Sequence, residues 1–172
     1  MKVFRCRICG EVYIGKDMPA SCPFCGAHQN YLLLAREWSL IKAANLSDTS
    51  KEYLKKSLDL EINNTNFYRV VSEKSKDIYI QSMFKGFSKV EREHASAICK
   101  HLEIEKPDST AGLDKAVDSD QENMEEAARR EKFAVKFYGE AAGRVPEPQI
   151  KDFFKALIEI ESDHIVLIEQ KT

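Results

Sequence analysis

The stretch KVEREHA, residues 89–95, and its counterpart IEIESDHI, residues 158–165, decide how this chain folds. Read alone, KVEREHA is a charged run suited to the wet face of a helix. Helical phase divides its charges. Upstream, Ile80, Phe84 and Phe87 recur at helical spacing, and continuing that spacing lands on Glu91 and His94 before Ile98. In the second stretch Ile150, Phe154 and Leu157 lead in the same way to Glu161, His164 and Ile168. Arg92, Glu93 and Asp163 leave the stripe and are expected in solvent. Two amphipathic helices therefore carry a Glu-x-x-His on the side that should face a core.

Working outward, the two stretches belong to a repeat. Helix pairs match without a gap at an offset of 70 residues: Glu61 with Glu131, Phe67-Tyr68 with Phe137-Tyr138, Phe84-Lys85 with Phe154-Lys155, Glu91 with Glu161, and His94 with His164. Titratable residues are among those that repeat, which simple packing would not require, so the pattern reads as a duplication that kept a symmetric site. The expected helices span 50–76, 78–102, 120–143 and 148–170. Thr49 with Glu52 reads as a capping box for the first and Ser119 with Glu122 for the third; Asp77 caps the second, and Pro148 suits the first turn of the fourth. The first helix runs Leu54, Leu58, Glu61, Thr65, Tyr68 on its core side; the third runs Met124, Ala127, Glu131, Ala134, Tyr138.

Four carboxylates and two imidazoles thus point into one core. Converging carboxylates repel one another and are costly to bury, so the arrangement requires cations. One Glu from each of two helices, plus Glu-x-x-His from each of the other two, is the carboxylate-bridged di-iron or di-manganese set of ferritin-like four-helix bundles. At this spacing Glu and His share a face, letting the carboxylate bridge two ions while the imidazole binds one. Tyr68 and Tyr138 lie two turns from Glu61 and Glu131 on the same faces. They suit either hydrogen-bonding support of the ligands or plain core packing.

The N-terminus is of another kind. Cys6, Cys9, Cys22 and Cys25 form two CxxC pairs, CRIC and CPFC, separated by twelve residues. Two such pairs make a tetrahedral four-sulfur site for iron or zinc. Gly10 and Gly26 let the chain turn past the metal so that backbone N–H groups can aim at sulfur. So short a module buries too little to fold unaided, and the metal would staple it, with Phe4, Tyr13, Phe24 and Tyr31 as a minimal jacket. Cys99 reads as a buried thiol, His28 and His101 as surface or satisfied residues, and Trp38 as packing at the domain junction.

The whole chain has 172 residues, 43% hydrophobic and 31% charged, with net charge -2, enough apolar residues to bury a core. Nothing in that balance draws it to nucleic acid or an anionic membrane. It has no apolar run of about 18 residues and no secretory signal, so a cytoplasmic location is expected.

The four cysteines, Glu61 with Tyr68, Glu91-x-x-His94, Glu131 and Glu161-x-x-His164 together resemble the rubrerythrins, and the knuckle-first order resembles their "reverse" subgroup. The resemblance implies a mainly α protein: a ferritin-like four-helix bundle preceded by a small rubredoxin-like metal-knuckle domain. The expected division is 1–36 for the Fe(Cys)4 domain, 37–49 for a linker and 50–172 for the di-iron bundle. It also implies one iron (or zinc) at the cysteines and two irons bound by Glu61, Glu91, His94, Glu131, Glu161 and His164, with Glu91 and Glu161 bridging. Those six would be the catalytic residues. The implied activity is an oxidoreductase that reduces hydrogen peroxide, and in some members dioxygen, to water. Its donor would be rubredoxin or an NAD(P)H-dependent rubredoxin reductase. The knuckle is expected at one end of the first helix, out of reach of its own di-iron site; a head-to-tail homodimer would bring it to a partner's bundle. Many rubrerythrins carry a further Glu one turn from the third-helix ligand, where this chain has Ala128 and Ala134. That departure favours a six-ligand site nearer the ferritin type. A ferroxidase that handles Fe(II), or a non-enzymatic zinc-ribbon adaptor on a metal-stabilised bundle, are the alternatives.

Overall fold

A computed structural model describes residues 1–38, 45–113 and 115–170. Three short strands come first: β1 (Lys2–Cys6), β2 (Val12–Gly15) and β3 (Leu32–Leu34), in the order β2-β1-β3, both pairings antiparallel. Register sets Val3 opposite Ile14 and Phe4 opposite Leu34. Phe4 turns inward and Tyr13 stacks on it, whereas Val3 and Ile14 stay exposed. The inner jacket is Phe4, Ile8, Ala27 and Leu32; Phe24, expected in it, is 39% exposed and points away. Trp38 packs against Arg5, whose guanidinium lies 3.5 Å from its ring centroid. Of the expected linker, residues 39–44 lie outside the described residues.

Four helices follow: α1 (Asp48–Lys74), α2 (Ile78–Leu102), α3 (Asp120–Arg144) and α4 (Pro148–Glu169). α1 packs on α2 and α3 on α4, two hairpins joined across α1 and α3. The start of α1 differs from expectation. Its cap is Ser47, whose hydroxyl accepts from the Ser50 N–H, and Glu147 from the far hairpin accepts from the Ser47 N–H and the Ser50 hydroxyl. Ser119 and Asp77 cap α3 and α2 as their sequences suggest, and Pro148 opens α4.

Two apolar clusters fill the bundle, one on each side of its mid-level. One is built on Phe67, Phe84, Phe87, Met124 and Ile168. The other joins Leu54, Ile98, Phe154 and Ile160 to the knuckle's cysteines, Ala27 and Leu32, so knuckle and bundle share one core. The carboxylates and imidazoles occupy the level between. Among the described residues no helix is long and apolar enough to cross a membrane.

Candidate metal centres

The four cysteine sulfurs converge. Cys6 and Cys25 Sγ are 3.7 Å apart, Cys9 and Cys22 Sγ 3.8 Å, and all four lie within 4.8 Å of one another. None forms a disulfide, and all are buried. Each CxxC is closed by a glycine: Gly10 N–H donates to the Cys6 carbonyl and Gly26 N–H to the Cys22 carbonyl, both glycines in left-handed backbone with φ of +82 and +78. The glycine amides thus bond carbonyls, while Ile8 N–H reaches a sulfur, Cys6 Sγ, at 3.4 Å. Hydrogen bonding to Cys22 pushes the Cys9 and Cys25 thiols up, while the bond from Cys25 holds Cys22 low. Thiols this close cannot all ionise without a cation among them, which is the signature of a four-cysteine metal site.

At mid-bundle six side chains meet, all buried: Glu61 from α1, Glu91 and His94 from α2, Glu131 from α3, Glu161 and His164 from α4. His94 Nδ1 lies 2.9 Å from Glu91, 3.3 Å from Glu161 and 3.6 Å from Glu61. His164 Nδ1 lies 2.9 Å from Glu161, 3.2 Å from Glu91 and 3.5 Å from Glu131. The two sets agree to 0.1 Å under the 70-residue exchange, so the sequence repeat is a spatial pseudo-two-fold. Two ligand groups result: Glu61, Glu91, His94 and Glu161, and Glu91, Glu131, Glu161 and His164. Glu91 and Glu161 belong to both, the position of bridging carboxylates.

These contacts are close without being aligned as hydrogen bonds. Both Nδ1 atoms, both oxygens of Glu91 and of Glu161, and the Oε2 of Glu61 and Glu131 are buried with no hydrogen-bond partner. Eight such atoms aimed at one centre would be ruinous for stability unless cations satisfy them, so the donor set fits two metal ions. Oxygen and imidazole ligands suit iron or manganese. The remaining terminal oxygens are taken: the Tyr68 hydroxyl donates to Glu131 Oε1 at 2.5 Å, and the Tyr138 hydroxyl donates to Glu61 Oε1. Each tyrosine supports the carboxylate of the opposite hairpin.

Electrostatics point the same way. Burial, then the Glu91 charge, raises Glu61 well above the usual range, and burial with the Glu161 charge lifts Glu131 to about 8. Burial also opposes the charge on Glu91, but His164 and His94 outweigh it and hold that carboxyl low. Both imidazoles, despite burial, are raised by the carboxylates around them. Burial and the neighbouring glutamates push the Tyr68 and Tyr138 phenols up, so both stay protonated donors.

Residues 52–169 match the Rubrerythrin family, and residues 4–32 match the family described as "Rubrerythrin, rubredoxin-like domain". The chain belongs to the rubrerythrin family. It is also similar to "Reverse rubrerythrin-1" of Clostridium acetobutylicum, 26% identical over 133 residues, which cover 70% of this chain and 74% of that protein. No solved structure matches the chain.

In this rubrerythrin the two centres touch within one chain. The knuckle rests on α2 and α4, with Gly26 between Val90 and Ile160, themselves equivalent under the repeat. There the Cys25 carbonyl lies 2.9 Å from His94 Nε2. A carbonyl can only accept, so Nε2 carries a proton, which leaves Nδ1 as the nitrogen that would bind a metal. The expected seat at one end of the first helix is therefore corrected: the knuckle sits over the mid-bundle site, and proximity needs no second subunit. His28 helps hold it, with Nε2 2.7 Å from Asp163 and Nδ1 3.3 Å from Glu159 on α4. Glu93, expected in solvent, is half-buried beneath the knuckle. His101 meets Phe153 edge-on, and burial pulls it down to about 4; Cys99 is a buried free thiol.

The symmetry breaks at the imidazoles. His94 is fully buried against the Cys25 carbonyl, whereas His164 packs against the Phe87 ring, 4.2 Å between centroids. Ala134, one turn past Glu131, is fully buried and Ala128 partly so, and neither can supply a seventh ligand.

Proposed function

We propose that this chain is an oxidoreductase that reduces hydrogen peroxide, and dioxygen as a second oxidant, to water, with electrons entering one at a time through the four-cysteine centre. The observation that carries this reading is the bond from His94 Nε2–H to the Cys25 carbonyl. Cys25 belongs to one ligand set and His94 to the other, so one hydrogen bond completes an otherwise covalent path between them. A module built only to brace a bundle would have no need to meet a ligand imidazole.

Peroxide consumes two electrons and two protons to yield two waters. Iron at all three positions would supply the one-electron steps, the paired ions sharing the two-electron change so that neither reaches a high oxidation state. The chain's own residues define the site. Glu91 and Glu161, common to both ligand groups, would hold two cations between them, and Glu61 and Glu131 would each bind one. Tyr138 and Tyr68 orient those caps and leave their Oε2 atoms for the metals. The apolar cluster of Phe67, Phe84 and Phe87 excludes water from one side.

The physiological donor is proposed to be rubredoxin or an NAD(P)H-dependent rubredoxin reductase, in the cytoplasm. For this chain the proposed division is residues 1–36 for the Fe(Cys)4 domain, 37–49 for a linker and 50–172 for the di-iron bundle. A homodimer that exchanged knuckles between chains would preserve the same His94–Cys25 contact. In the purified iron protein, a red Fe(Cys)4 band should bleach with reductant and return on adding peroxide. Glu91→Ala should keep the red colour and lose the return. A colourless protein holding one zinc, or full turnover in Glu91→Ala, would reject the reading. Ala134 favours a second reading, Fe(II) oxidation at a six-ligand site; aerobic uptake of many irons per chain would support it.

A further inference from the structure

α2 reaches the knuckle at two carbonyls, each belonging to the second cysteine of a CxxC. His94 Nε2 donates to the Cys25 carbonyl at 2.9 Å, and Lys100 Nζ donates to the Cys9 carbonyl at 2.8 Å. Lys100 stands six residues past His94, about 9 Å along the helix. One helix therefore grips both loops that hold the knuckle's metal. His94 is a ligand of the other centre; Lys100 is not.

The charges around Lys100 make its role more than mechanical. Its ammonium is 3.0 Å from Glu11 of the knuckle and 3.9 Å from Glu93 of α2. Glu93 Oε1 is buried with no hydrogen-bond partner, and that side chain is 23% exposed. Two carboxylates thus stand beside a centre that already carries four thiolates. Lys100 lies against both and offsets them, with Lys106 also acting on Glu93. Its equivalent under the repeat is Gln170, while the equivalent of Glu93 is Asp163, which binds His28. The repeat positions have diverged to serve the knuckle.

We propose that Lys100 is a positioning residue for electron entry: it fixes the knuckle on α2 so that the Cys25 carbonyl meets His94, and its charge favours the reduced state of the thiolate-bound metal. An iron held by four thiolates gains one negative charge on reduction, and a nearby ammonium stabilises that added charge. Reduction potentials of thiolate-bound iron respond to net charge and hydrogen bonding in this sense. The inference takes the four-cysteine site as an iron centre, as the functional reading above does, but needs no peroxide turnover.

The test uses the full-length, iron-loaded protein and reads the midpoint potential of the red Fe(Cys)4 band by spectroelectrochemistry. Lys100→Met keeps the aliphatic stem and removes donor and charge. It should shift the reduced-to-oxidised ratio roughly threefold toward the oxidised form, a fall of about 28 mV at ~59 mV per tenfold. Lys100→Arg should restore the original potential. Glu93→Gln, which removes a negative charge from the same contact, should move it upward. If Lys100→Met fails to fold, Lys100→Gln, which also removes the charge, should lower the potential in its place, and an unchanged potential there would overturn the proposal equally. An unchanged potential in Lys100→Met, or a downward shift in Glu93→Gln, would overturn the proposal. Failure of peroxide reduction with these shifts intact would instead reject the functional reading alone.

Discussion

Gly26 carries more than a tight turn. Its φ of +78 already disfavours any side chain, and a Cβ there would stand 3.1 Å from Ile160 Cγ2. Gly10 has the same backbone, φ +82, with nothing within 4 Å of its Cβ position. Gly10→Ala should therefore cost only left-handed strain, about 1–2 kcal/mol in the unfolding free energy. Gly26→Ala should cost that and also press the knuckle and Ile160 apart by a few tenths of an ångström, slowing peroxide-driven return of the red band relative to Gly10→Ala. Equal rates in the two variants would show that Gly26 serves the metal loop alone. The glycine itself was legible in CPFCG, but its second duty was not, because nothing local marks Val90 and Ile160 as the floor beneath it. The same holds for His94. Helical phase turned it inward, yet its partner is a backbone carbonyl, which every residue has. Glu93 was misplaced for the same reason: a helix face that is wet in an isolated bundle is roofed here by the knuckle.

At the scale of helices, most of the architecture could be read because period, repeat and caps agreed. Asp77, Ser119 and Pro148 act locally and were found; the start of α1 was not. Thr49 with Glu52 matched a capping box, but Ser47 caps the helix, its turn tied down by Glu147 from the opposite hairpin. A long-range carboxylate outweighed a local signature. The four helices also share a linkage to protons. Glu131, raised from an ordinary 4.5 to about 8, stabilises the folded metal-free chain fully below pH 4.5, and this is lost as pH rises through about 8. Glu61 and both imidazoles, also raised, act in the same direction; Glu91, held low, loses its contribution only in acid. The chelator-treated protein should therefore melt at progressively lower temperature from roughly pH 5 to 8. Bound metal should reverse the slope, since its ligands must be deprotonated. A melting temperature of the chelated protein that rises with pH would contradict the buried, mutually repelling cluster.

Over the whole molecule, the two modules form one device because a roof of four cysteines is seated on the symmetric centre and engages one of its two imidazoles. The docking of the two modules was not legible in sequence, since it uses backbone carbonyls, a glycine surface and ion pairs from both hairpins. The most direct test is stopped-flow mixing of the fully reduced iron protein with excess hydrogen peroxide, following the red Fe(Cys)4 band. The expected result is a first-order return of colour whose rate constant is the same across a wide range of protein concentration. An apparent rate constant that rises in proportion to protein concentration, or no return at all, would contradict electron passage from Cys25 to His94 within one assembly.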